Sequence, residues 1–151
     1  MRIELQTKAL GKIEISQKQL ICFPEGLLGF EDYRYFALVE ENEDTPFKWL
    51  QSSEDSNLAF IVTQPELFVP DYEPLILESE LSIIKIDHIK EGVILAILNV
   101  PSNDPMKMTA NLQGPIVINP KLLLGKQCIS LNENHLVKTN VFEKVSSLEK
   151  V

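Results

Sequence analysis

The sequence predicts a mainly β fold: a single small, antiparallel, barrel-like domain with short helices. Three observations carry this. Apolar runs are short and rich in β-branched and aromatic residues. Nine prolines bound these runs more often than they interrupt them. The gaps between them hold no long amphipathic helix of the kind that βαβ units need. A chain of 151 residues has room for one domain.

The elements follow in order. Arg2 to Lys8 alternates, with Ile3, Leu5 and Thr7 on one side and Arg2, Glu4, Gln6 and Lys8 on the other. Ile13 and Ile15 repeat the pattern against Lys12 and Glu14. Gly11 lies between the runs, so 2–8 and 12–16 read as a hairpin. Leu20 to Phe23 is a short strand stopped by Pro24. Further strands are expected at Tyr35–Val39, Phe47–Gln51, Leu58–Thr63, Gly92–Val100, Ile116–Asn119 and Gln127–Leu131. Glu78 to Ile84 reads as a short helix. Asn140 and Glu143 have the spacing of a capping box, and Val141, Phe142, Val145 and Leu148 would then share a face. Two serines and three valines in 141–151 weaken that helix, so the tail reads as helical or frayed.

Charge narrows the function classes. The chain carries 22 acids and 14 bases, net −8. Residues 1–105 hold 19 acids and 8 bases, and 106–151 hold 3 acids and 6 bases. An acidic body favours a basic partner and disfavours direct nucleic-acid binding, which rests on neutralising phosphates. The longest apolar run is Val93 to Leu98, far short of a membrane span, so no membrane partner is expected. Charges at Arg2 and Glu4 break any signal-peptide pattern, and Cys22 and Cys128 sit in strand-like segments as two reduced core thiols. The chain reads as cytoplasmic.

Chemistry is sparse. His88 and His135 have no metal-ligand spacing and read as surface residues. Gly125-Lys126 lacks the rest of a phosphate loop. Glu40, Glu41, Glu43 and Asp44 bunch without the glycine and spacing of a calcium loop and read as a solvated turn. No catalytic residue, metal or cofactor is expected. Trp49 follows Phe47 at strand spacing, so both rings should face one side, with the indole in the core.

Two loops concentrate large apolar residues. Phe23-Pro24-Glu25-Gly26-Leu27-Leu28-Gly29-Phe30 reads as a satellite core or as a protein-binding patch. Phe68-Val69-Pro70-Asp71-Tyr72-Glu73-Pro74 joins aromatics, acids and prolines. Tyr72 there is either an interface anchor flanked by acids or a plug closing one end of the barrel. The expected protein-binding residues are Phe68, Pro70, Asp71, Tyr72 and Glu73, with Asn111 and Leu112 as a second choice.

Phe23-Pro24-Glu25-Gly26-Leu27-Leu28-Gly29-Phe30-Glu31 closely resembles the signature of the bacterial flagellar assembly factor FliW family. Pro46-Phe47-Lys48-Trp49-Leu50-Gln51-Ser52, followed by Leu58-Ala59-Phe60, is similar to its next block. So is Pro70-Asp71-Tyr72-Glu73-Pro74, and so are Met108 to Leu112 with Pro115 to Asn119. The blocks stand in the family's order across 1–131. Ile83–Gly92 diverges, and 132–151 reads as a C-terminal tail. The resemblance implies a β-barrel-like fold and a non-enzymatic role. It implies two partners, flagellin and the mRNA-binding translational repressor CsrA. Flagellin held in the cell would occupy the factor and leave CsrA free to block flagellin translation. Exported flagellin would free the factor to take CsrA from the message. A barrel binding a small ligand and an enzyme of unrecognised chemistry are the alternatives.

Overall fold

The computed structural model describes residues 1–40 and 44–142. Its eleven strands are β1 (Arg2–Thr7), β2 (Gly11–Ser16), β3 (Leu20–Cys22), β4 (Tyr35–Val39), β5 (Lys48–Ser52), β6 (Ala59–Thr63), β7 (Val93–Asn99), β8 (Thr109–Ala110), β9 (Ile116–Asn119), β10 (Leu124–Gln127) and β11 (Thr139–Asn140). The helix α1 spans Glu78–Ile83. Strands run in the order β7-β6-β5-β4-β3-β10-β9, and β9 pairs back with β7. That closes a seven-stranded barrel and removes its open edges. Every pairing is antiparallel except β3 with β10, where Leu124 faces Cys22.

Period-two patterning fills the barrel. Ile21, Phe36, Leu50, Val62, Leu95, Ile116 and Ile118 point inward with Phe23 and Leu27. Phe23, Phe36, Leu50, Val62 and Ile116 are fully buried, so this interior is packed with side chains, and a ligand-holding barrel finds no support in it.

The intervening residues face outward, yet they too are apolar, because three elements cover them. The β1–β2 hairpin lays Leu5 and Ile15 against Ala37 and Val39. Helix α1 and the turn after it set Leu81, Ile84 and Ile86 on Val117 and Cys128. Phe68, Tyr72, Met108, Leu112 and Val141 cover Ala96 and Leu98 of β7. Strand β7 serves two neighbours along one edge. Val93 to Leu95 pair with β9, and Leu98 and Asn99 pair with β8.

Some expectations need correction. The strand expected at Gln127–Leu131 lies at Leu124–Gln127 instead. Gly125 and Lys126, read in the sequence only as an incomplete phosphate loop, are part of this strand. Only the packed barrel shows that Phe23 requires the glycine and that two carboxylates hold the lysine. His135, expected at the surface, is buried, whereas His88 is exposed. Trp49 is half-buried on the outer face instead of fully in the core. It shares a groove of about 230 Å³ with Phe47, Ile61 and Leu98, so the two rings do face one side. Within 132–142 the chain docks on the barrel: Thr139 and Asn140 pair with β8, and Val141 is buried. The roles read for Glu143, Val145 and Leu148 fall outside the described residues, as do those of Glu41 and Glu43.

Candidate functional site

The loop Phe23–Glu31 is held from below by three consecutive residues of β10. A Cβ on Gly125 would lie 2.6 Å from the ring of Phe23, so only glycine lets that ring seat. Lys126 Nζ sits 3.2 Å from Glu25 and 3.3 Å from Glu80, joining the loop to α1. Burial alone would lower the Lys126 pKa, but the two carboxylates outweigh it and hold the ammonium above its ordinary value. Gln127 Oε1 accepts from Leu28 N–H at 3.0 Å, while its Nε2 donates to Gly114 O at 3.0 Å. Gly26 has φ +66°, and a Cβ there would lie 2.6 Å from Glu31 Cα. The motif's central purpose in this fold is therefore to turn tightly and plug the barrel with Phe23 and Leu27. Phe30 remains partly exposed, edge-on to Phe60 at 5.2 Å.

The second motif has a similar logic. Gln51 is 1% exposed. Its Oε1 accepts from Lys8 N–H at 2.9 Å and ties the hairpin to the barrel. Its Nε2 donates to Ser52 O at 3.0 Å and gathers the carbonyls of Asp55, Ser56 and Leu58.

The residues expected to bind protein meet on the outer face of β7. Tyr72 Oη donates to Leu112 O at 2.7 Å, so both choices converge on one place. Phe68, Tyr72 and Leu112 are buried. Pro70, Asp71 and Glu73 are exposed, and Asn111 is half-buried. The Asn111 Oδ1 accepts from the N–H groups of Gln113 and Gly114, at 3.1 and 2.8 Å, and shapes the turn into β9. The tyrosine ring thus anchors the loop to its own body, packed on the flank of the barrel rather than at its end. Burial holds the phenol above its ordinary pKa.

His135 completes this cluster. Ser130 Oγ accepts from Leu75 N–H at 3.2 Å and pairs with His135 Nδ1 at 2.7 Å. The imidazole ring is buried beside this hydroxyl. Burial lowers its pKa, with Asp71 opposing. Beside it, Val69, Asp71, Tyr72 and Leu112 line a cleft of about 260 Å³. Both cysteines are free, and burial raises the Cys128 thiol to about 12, too high for a thiolate nucleophile.

Sequence reasoning missed a run of exposed aliphatics next to this loop. Leu75, Leu77, Ile129 and Leu131 all stand in water. Their alternation with Pro74, Ile76, Cys128 and Ser130 was the available signal, but neither segment lies in a strand of the sheet.

Fold and surface together define a small closed barrel, clad on its outer flank and built to hold loops and surface segments in place. The FliW protein family model matches residues 4–141. The chain is 55% identical to the flagellar assembly factor FliW of Leptospira interrogans, over 97% of each chain. It is 48% identical to that of Leptospira biflexa, over 98% of this chain and 97% of the relative. A crystal structure of the flagellar assembly factor FliW superposes with a TM-score of 0.83 at 36% identity, covering 93% of this chain and 97% of the other. The chain belongs to the FliW family of flagellar assembly factors.

Proposed function

We propose that this protein is a cytoplasmic, non-enzymatic flagellar assembly factor that binds flagellin and antagonises the translational repressor CsrA. In this reading flagellin and CsrA draw on one pool of the factor. Retained flagellin leaves CsrA free to repress, and exported flagellin releases the factor to relieve repression. The observation that carries it is family membership across the whole barrel, from residue 4 to 141. The acidic balance of residues 1–105 supports it, because an RNA-binding repressor is basic and association would be electrostatically steered.

The test is a gel shift of a flagellin mRNA leader bound by purified CsrA. The factor alone should give no shifted band. Adding it should reduce the CsrA–RNA complex, and adding flagellin should restore that complex. An RNA complex unchanged by factor that demonstrably binds CsrA refutes the antagonism. Direct binding of the factor to the leader refutes the protein-only reading.

A further inference from the structure

Leu75, Leu77, Ile129 and Leu131 are exposed by 56, 52, 40 and 56%. Leu131 N–H donates to Leu75 O at 2.8 Å, and Ile129 N–H donates to Glu80 at 3.2 Å. The segments 74–77 and 128–131 therefore lie side by side and run in opposite directions. Their alternate residues face the body, and the four aliphatic side chains stand together as one stripe. Singly scattered surface aliphatics are ordinary, but a contiguous stripe marks an interaction site.

Charge defines what the stripe would accept. Residues 71–84 carry Asp71, Glu73, Glu78 and Glu80 with no lysine or arginine, and residues 129–137 carry Glu133 with none. Asp71, Glu73, Glu78 and Glu133 are exposed. Glu80 is taken by Lys126. An acid rim repels phosphates and anionic lipid, and it attracts lysine and arginine.

The backbone defines the shape of the occupant. The N–H groups of Ile129, Ser130 and Leu131 are committed to Glu80, Gln113 and Leu75. Leu75 N–H is committed to Ser130, and Leu77 O accepts from Glu80 and Leu81. An added strand would find few backbone partners, so recognition falls to side chains. We propose that this stripe is the docking surface for the apolar face of a partner protein's helix whose flanks carry lysine or arginine. This rests on the reading of the chain as a protein-binding factor, but on neither partner named above.

The experiment titrates the full isotope-labelled chain with two short amidated helical peptides, followed by amide chemical shifts. One peptide has leucines at i, i+3, i+4 and i+7 with lysines elsewhere; the other replaces the lysines with glutamates. The lysine peptide should shift the amides of 75–77 and 129–131, and the glutamate peptide should not. Leu75→Ser with Leu131→Ser should weaken the lysine peptide by about tenfold. Glu73→Lys with Glu78→Lys should weaken it similarly, and Leu122→Ser, exposed elsewhere, should change nothing. Equal binding of both peptides, or shifts confined to other surfaces, overturns the proposal. So do stripe resonances that move with protein concentration alone, since a second copy would then be the occupant. A chain that takes the peptide here but binds neither flagellin nor CsrA refutes those partners and keeps the surface. The converse keeps the partners and removes the surface.

Discussion

The ring of Tyr72 lies 4.5 Å from that of His135, tilted by 40° against it, and its hydroxyl donates to Leu112 O at 2.7 Å. One side chain thereby joins three separate stretches of chain: the loop after β6, the approach to β9, and the C-terminal segment. This is a structural anchor, and it fixes the exposed acids Asp71 and Glu73 on either side. Tyr72→Ala should cost about 3–4 kcal/mol, in the range for deleting a buried aromatic. Tyr72→Phe removes only the hydrogen bond and should cost about 1 kcal/mol. Urea unfolding of both variants separates ring from hydroxyl.

His135 gives this anchor a pH dependence with a definite sign. Its folded pKa lies below the ordinary 6.5, so the unfolded chain binds the proton more readily. The His135 contribution is intact above about pH 6.5 and is lost as pH falls from there toward the lowered folded value. Melting temperature should fall on acidification through this window. His135→Gln should flatten that part of the profile, and an unchanged slope would assign it to other groups.

Gly125 and Phe23 test the loop's foundation. Gly125→Ala places a methyl group 2.6 Å from a ring that is fully buried. The expected loss is about 2–3 kcal/mol, as for overpacking a close-fitted core. Phe23→Leu in the same chain should recover part of it by making room. Absence of any recovery would show that the cost lies in the backbone of β10.

Lys126 is the cation between two carboxylates. Lys126→Met leaves Glu80, whose side chain is 16% exposed, without its cation and with only the Ile129 N–H to satisfy it, while Glu25 at 52% can turn to water. The loss should be about 2 kcal/mol, below that of a fully buried pair because one carboxylate is solvated. The double change Lys126→Met with Glu80→Gln should be less destabilising than the single one.

Truncation tests the end of the body. The sequence alone predicts that removal of residues after Asn134 leaves the fold intact. The structure predicts a lower melting temperature, because Thr139 and Asn140 pair with β8 and Val141 packs on Leu98 and Met108's cluster. Ending the chain after Phe142 retains these contacts. Comparing the two truncations measures what the pairing contributes.

Alternating strands, and the turns that glycine and proline punctuate, could be read from the residues alone. Arg2–Thr7, Tyr35–Val39 and Ile116–Asn119 were legible because side-chain period and β-branching are local properties. The family was legible because ordered motifs survive in one dimension. Closure of β9 onto β7 and the parallel pairing of β3 with β10 were decided only in three dimensions, since neither partner's sequence encodes its neighbour. The same holds for the two-residue strands β8 and β11, too short to carry a period. Burial of Tyr72 and His135 was also tertiary. Both are amphipathic side chains whose placement depends on whether a partner such as Leu112 O or Ser130 Oγ comes within reach. The stripe of Leu75, Leu77, Ile129 and Leu131 escaped for the complementary reason. Alternation reveals two faces of a segment, but only the folded chain decides which face meets water and which second segment stands beside it.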